Sequence, residues 1–304
     1  MTLMDPVRLT LTLRFLKRAV AAWWNDNAIR LGASLSYYTL FALAPMLLVA
    51  IAIAGSAFGE EAVRGEIVGQ VNGLIGNEGG VAVQALLKGA ALRGDSNLAA
   101  IIGSITFFFA ACGAFLELQS AFNTIWRVTP SPSNGGQIKE FVLDRIRSFG
   151  LVVAIGFLLM VSLAVSAALA AFGSWLQRWA PGMPVVLNLL NSVVSLAVTS
   201  ALFAMLFKFL PDVELSWPDV ATGALVTALL FSVGKNVIGL YIGHSATASA
   251  YGAAGSVLVL LLWVYYTSQI VLVGAEFTRL YAERVRGPVS PSSFAERTPR
   301  KVTA

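Results

Sequence analysis

Between Asp219 and His244 the only charged side chain is Lys235, and Asn236 follows it directly. A cation in so apolar a run is costly to bury, which makes it a functional candidate by default. Asn188 and Asn191 open the preceding apolar run and reach about the same level if the two runs are antiparallel membrane spans. An ammonium with amides around it, in a hydrated internal cavity, has the chemistry to bind an anionic headgroup or a carboxylate. The alternative is that the long lysine stem carries its charge out to the headgroups. Tyr265, Tyr266 and Gln269 form a second polar band, expected near mid-membrane. They line a cavity or bond one helix to another, and bonding is the expected role for any one of them.

Four more charges, Glu117, Lys208, Glu276 and Arg279, fall at the ends of apolar stretches on one predicted side, the inner one. Lys208 or Arg279 paired with Glu117 or Glu276 gives structural ion pairs there. Lys235 lies about 15 residues into its span, roughly 20 Å from that inner side, so no Lys235–Glu276 bridge is expected. His244 is the only histidine and Cys112 the only cysteine. That argues against a metal site and excludes internal disulfides, and Cys112 is expected to be a small buried hydrophobe. No glycine-rich loop precedes a lysine at Walker spacing, so no cofactor and no nucleotide are expected. Hydrolysing RNA requires a metal pair or acid–base groups beside an accessible basic surface. Neither is visible, so no enzyme activity and no nucleic-acid partner are expected.

These residues have to be positioned by membrane helices. Ala253 to Val273 is 21 residues without a charge, about 30 Å of helix and enough to cross a bilayer's hydrocarbon core. Hydrophobic residues make up 57% of the 304 and charged residues 12%, about half the charged share of a soluble domain. The chain therefore reads as an all-α polytopic membrane protein. Six spans are expected, over about 33–58, 98–123, 149–172, 185–209, 220–242 and 253–278. Pro45 lies inside the first and is expected to kink it.

Residues 1–32 read as a basic amphipathic segment lying on the membrane surface, with Trp23 and Trp24 at headgroup depth. No cleavable signal peptide is expected there. Residues 59–97 form two short amphipathic helices broken near Gly76, an external cap on the six-helix domain of residues 33–283. Arg93-Gly94-Asp95 spells an adhesion tripeptide, and the expected role is a helix end and turn. Residues 128–140 read as a flexible loop, and the tail over 284–304 as disordered. With six spans, 16 of the 21 Lys and Arg fall on the side of the termini and 4 on the other. Both termini are then cytoplasmic.

Four separated stretches carry a family resemblance: LSYYTLFALAPMLL (35–48), GAFLELQSAFNTIW (113–126), LPDVELSWPDVATGAL (210–225) and YGAAGSVLVLLLWVYYTSQIVLVGAEF (251–277). In this order they resemble the YihY/BrkB family of bacterial inner-membrane proteins, also called ribonuclease-BN-like, over roughly residues 15–285. The resemblance implies a six-helix inner-membrane protein, with links to serum resistance and virulence in some members and proposed lipid movement in others. It implies no agreed substrate and no agreed catalytic residues. Together with the residues above, the leading expectation is a transporter or flippase-like protein for a lipid-like or anionic amphipathic solute. A non-catalytic envelope scaffold is the alternative, and a ribonuclease is disfavoured. The expected partners are membrane lipids, with a second copy or an envelope protein as further candidates.

Overall fold

The computed structural model describes residues 6–91, 113–131, 183–244, 254–292 and 295–298. The third expected span, most of the second, Cys112, Arg93-Gly94-Asp95 and residues 245–250 lie outside these. Eight helices and two short strands are described. The helices are α1 (Pro6–Asn25), α2 (Ala28–Phe58), α3 (Glu60–Ile75), α4 (Asn77–Ala91), α5 (113–126), α6 (Met183–Phe209), α7 (Trp217–His244) and α8 (Gly255–Arg286). The strands are β1 (Val128–Pro130) and β2 (Ala295–Arg297). Within α6, α7 and α8, Leu189–Phe209, Trp217–Ile242 and Gly255–Arg286 are each long and apolar enough to cross a membrane. The protein is a polytopic all-α membrane protein.

Four helix boundaries have a visible local cause. Asn27 takes the left-handed conformation (φ 54°) and separates α1 from α2, an excursion asparagine makes more easily than most residues. Gly59 and Gly76, both at φ 87°, break the chain between α2, α3 and α4, a conformation that penalises any residue with a β-carbon. The Gly59 N–H closes α2 on the Gly55 carbonyl, and the Gly76 N–H closes α3 on that of Asn72. Glu60, Glu61 and Glu78 occupy the first turns of α3 and α4, where the helix dipole favours negative charge. The break predicted near Gly76 is thus found at that residue. Before α7, the Asp219 carboxylate accepts from the Ser216 hydroxyl and N–H, the carboxylate half of a capping box, which satisfies the N–H of the capping residue.

The chain divides into two compact units. The first holds Met1–Ala19, Phe122–Ser232 and Val273–Ala304; the second holds Val20–Ala121 and Val233–Leu272. In the first, Phe122 packs on Phe207 at a ring separation of 5.7 Å, and Phe203 on Phe231 at 5.9 Å. In the second, Ile51 of α2 is buried with Val83 and Leu87 of α4, while Ile75, Ala82, Ile238, Ile242, Val259 and Leu260 form another apolar cluster.

α8 runs past the end of the expected sixth span, to Arg286. Two expectations are corrected here. The tail is not disordered where it is described. β2 pairs antiparallel with β1, Thr129 opposite Glu296, and Pro291 bridges to Val213. The Ser292 N–H donates to the Asp212 carbonyl, the Glu214 N–H to that of Ser290, and the Thr298 N–H to that of Arg127. A polar, proline-bearing segment of this kind has no periodicity of its own. Its order comes from backbone groups of loops distant in sequence, which also makes Val128–Pro130 a strand within the stretch read as a loop.

Candidate functional site

In the first unit α7 and α8 meet along an antiparallel seam. Gly223 and Thr227 on α7 face Thr278 and Gly274 on α8. A β-carbon on Gly223 would overlap the Thr278 hydroxyl, and one on Gly274 would overlap that of Thr227. Each threonine therefore fills the space its partner glycine leaves. Each hydroxyl also donates back to the carbonyl four residues earlier, Thr227 to Gly223 and Thr278 to Gly274, both at 2.7 Å. Between apolar helices in lipid there is little hydrophobic drive to associate, and small residues supply close backbone packing instead.

Beyond this seam α8 carries Glu276, Arg279, Glu283 and Arg286. Their spacing of three, four and three places them along one side of the helix. Arg279 donates to Glu276 at 2.8 Å and to Glu283 at 3.3 Å. The side chains of Glu276 and Arg279 are only 0% and 4% exposed, so each charge is held by the other rather than by water. Arg286 reaches the buried Asp219 at 3.2 Å. Seven residues before Asp219, Asp212 forms a two-bond lock with Asn123 of α5: the Asn123 amide donates to the Asp212 carboxylate at 2.7 Å, and the Asp212 N–H to the Asn123 carbonyl oxygen at 2.9 Å.

The predicted ion-pair residues are thus sorted. Arg279 and Glu276 are paired. Lys208 gives its ammonium to the Leu215 backbone carbonyl instead of a carboxylate, which closes the loop between α6 and α7. Glu117 is half-buried on α5 in the second unit and has no ion pair among the described residues.

In the second unit Gln269 accepts from the Trp23 indole N–H at 3.1 Å and donates to the Ala28 carbonyl at 3.3 Å. A β-carbon on Gly32 would overlap its amide. Gln269 therefore bonds α8 to the α1–α2 junction, the helix-bonding role of the two considered, and it sits level with the first turn of α2 rather than midway along it. Trp23 is committed to the same contact, so only Trp24 of the tryptophan pair is exposed. The Tyr265 ring lies 3.6 Å from the β-carbon position of Gly32, and Tyr266 packs over Gly234 with its hydroxyl 3.2 Å from that glycine's.

Lys235 follows Gly234 on α7. It is half-buried and has no partner among the described residues. It occupies the flank of the helix's buried side, which Phe231, Ile238 and Ile242 share, while Val233, Val237 and Leu240 mark the exposed side. Asn236 was grouped with it by adjacency. One residue is about 100° of helix, however, and Asn236 falls on the exposed side. Asn191 is exposed on α6, and Asn188 and Asn191 belong to the first unit while Lys235 and Asn236 belong to the second. Among the described residues no three His, Cys, Asp or Glu side chains converge as a metal site requires.

Sequence reasoning passed over Asn123–Asp212, the Ser216–Asp219 cap and the glycine–threonine seam. Two signals were present: the S-x-x-D spacing before an apolar run, and a G-x-x-x-T pattern in both α7 and α8.

Known proteins add the lineage. A UPF0761 membrane protein of Rhodospirillum centenum is 31% identical over 297 residues, covering 94% of this chain and 61% of the relative. Another, from Psychrobacter, is 27% identical over 87% of this chain and 47% of its own length. The UPF0761 membrane protein YihY of Escherichia coli is 31% identical over 60% of each. The chain thus spans about half to three fifths of the curated relatives it matches. No solved structure matches it. The family profile described as Virulence factor BrkB matches residues 19–298, and the chain belongs to that family.

Proposed function

We propose that this protein moves an anionic amphipathic or lipid-like solute across or within a bacterial inner membrane, as a non-enzymatic transporter or flippase-like protein. Six spans and cytoplasmic termini complete the reading. The observation that carries it is Lys235: a half-buried cation without a carboxylate partner among the described residues, in a helix otherwise uncharged between Asp219 and His244. Glu276 and Arg279, more deeply buried, pair with each other. A cation left unmatched is one that an anionic ligand matches. Tyr266 packs over the preceding residue, Gly234.

The test is exchange of fluorescent phosphatidylglycerol between leaflets of liposomes holding the purified protein. The expected result is exchange above protein-free liposomes, cut at least tenfold by Lys235→Gln. Wild-type protein that accelerates nothing would overturn the reading.

A second reading, a non-transporting envelope scaffold, is favoured by a different observation. Gln269, one of the polar residues that a cavity would use, is spent on bonding α8 to Trp23 and Ala28. A scaffold has partners, a second copy or another envelope protein, and leaves Lys235→Gln without effect on leaflet exchange. Neither reading calls for nuclease activity in the purified protein.

A further inference from the structure

α1 carries Arg8, Arg14, Lys17 and Arg18 and no acidic residue from Pro6 to Asn25. In the first unit it is held against α8 by Phe15, whose ring meets Phe277 edge-on at 5.1 Å, and Phe277 in turn stacks with Tyr281. The Arg284 guanidinium lies 5.9 Å from the Phe15 ring centre, within cation–π range. Arg18 is one turn on from Phe15, so its stem emerges beside the same ring. Arg18 and Arg284 are both exposed. The Arg284 guanidinium and the Arg18 position one turn along α1 thus flank the same aromatic ring. The acid next in sequence, Glu283, is committed to Arg279, and α1 supplies none. Lys17, also exposed, adds a third cation on the same turn of α1.

We infer that Arg18, Arg284 and Lys17, set around Phe15, form a binding site for an anionic phospholipid headgroup. The chemistry is charge complementarity: planar guanidinium groups match phosphate oxygens two at a time. The occupant follows from the setting. Phe15 docks α1 on the C-terminal part of α8, a helix long and apolar enough to cross a membrane, and basic residues beside such a span meet anionic lipid at the membrane surface. The helix is thus no free amphipathic tether but a docked one, whose attachment to α8 presents these cations. This site is separate from Lys235 and does not rest on the transport reading.

The experiment is native mass spectrometry of the full chain in detergent, titrated with phosphatidylglycerol or phosphatidylcholine of matched acyl chains. Wild type is expected to retain phosphatidylglycerol preferentially. Each cation near the surface contributes about fivefold to affinity. Arg18→Gln should therefore lower that preference roughly fivefold, and Arg18→Gln with Lys17→Gln roughly 25-fold. Both positions are exposed, so thermal unfolding without added lipid should match wild type. Arg284→Lys keeps the charge but not the two-pronged fork and should lose part of the preference, less than Arg284→Gln loses. A phosphatidylglycerol preference unchanged in the Lys17/Arg18 double variant would overturn the inference. So would displacement of the lipid by equimolar inorganic phosphate, which would mark a site for free anions.

Discussion

The two ends of α8 handle polar groups in opposite ways. Its C-terminal part buries Glu276 and Arg279 completely, matches each with the other, and sets the pair beside a seam of glycine and threonine. Its N-terminal part is uncharged, uses Gln269 for two hydrogen bonds, to Trp23 and to the Ala28 carbonyl, and lies in the unit that contains the unmatched Lys235. A matched buried pair is costly to break at one partner only; a cation with no described partner can be neutralised without stranding another charge. Stability and function are therefore expected to separate along this helix and its neighbour, and substitutions can break that separation or sharpen it.

The largest effect is expected from Arg279→Ala. It leaves the Glu276 carboxylate buried without its guanidinium, and stranding one member of a buried pair typically costs about 3–5 kcal/mol. Thermal unfolding in detergent, followed by recovery of monodisperse protein, is the measurement. Replacing both residues, Glu276→Met with Arg279→Met, should regain most of the loss, since an apolar pair of similar volume needs no partner. A double variant as damaged as the single one would mean that other groups depend on these charges.

Next comes the seam. Gly274→Ala forces a methyl into the Thr227 hydroxyl, and overpacking of this kind costs about 1–3 kcal/mol. Thr227→Ala in the same chain removes the obstructing atoms and should recover at least half. The same relation is expected for Gly223→Ala with Thr278→Ala. Additive losses in either cycle would show that the residues do not interlock.

A smaller loss is expected at the other end of the helix. Gln269→Leu removes the bonds to Trp23 and to the Ala28 carbonyl, and hydrogen bonds between membrane helices are worth about 0.6 kcal/mol on average and up to about 1.7. Coupling between Gln269→Leu and Trp23→Phe, read from a double-mutant cycle, should account for most of it. An effect as large as that of Arg279→Ala would erase the contrast between the two ends.

These contrasts were unevenly visible before the structure. Helix identity was plain, because apolar runs of spanning length and the glycine at 76 are local signals. The Glu276–Arg279 pair was within reach because it lies three residues apart on one helix. The order of the tail was not, since β2 exists only through β1, more than 160 residues earlier. Asn236 illustrates another limit. Adjacency in sequence put it with Lys235, while the helix turns the two about 100° apart. Gln269 was legible as a polar residue in an apolar helix, but its depth was set by its partner: Ala28 opens α2, and counting from the start of the last apolar stretch could not supply that.

The smallest effect on stability is expected at Lys235, and it decides what the comparison means. Lys235→Gln removes a charge that no described residue pairs with, so unfolding should shift by no more than about 0.5 kcal/mol, the range of substitutions that break no contact. A gain is as acceptable as a loss, because neutralising a half-buried cation relieves desolvation. Leaflet exchange measured on the same preparation should fall. A protein that keeps its fold and loses exchange would place function on the cation that the fold does not use. If Lys235→Gln instead destabilises the protein by several kcal/mol, the lysine is part of the packing, and the unit containing it is held together by charge much as the C-terminal end of α8 is.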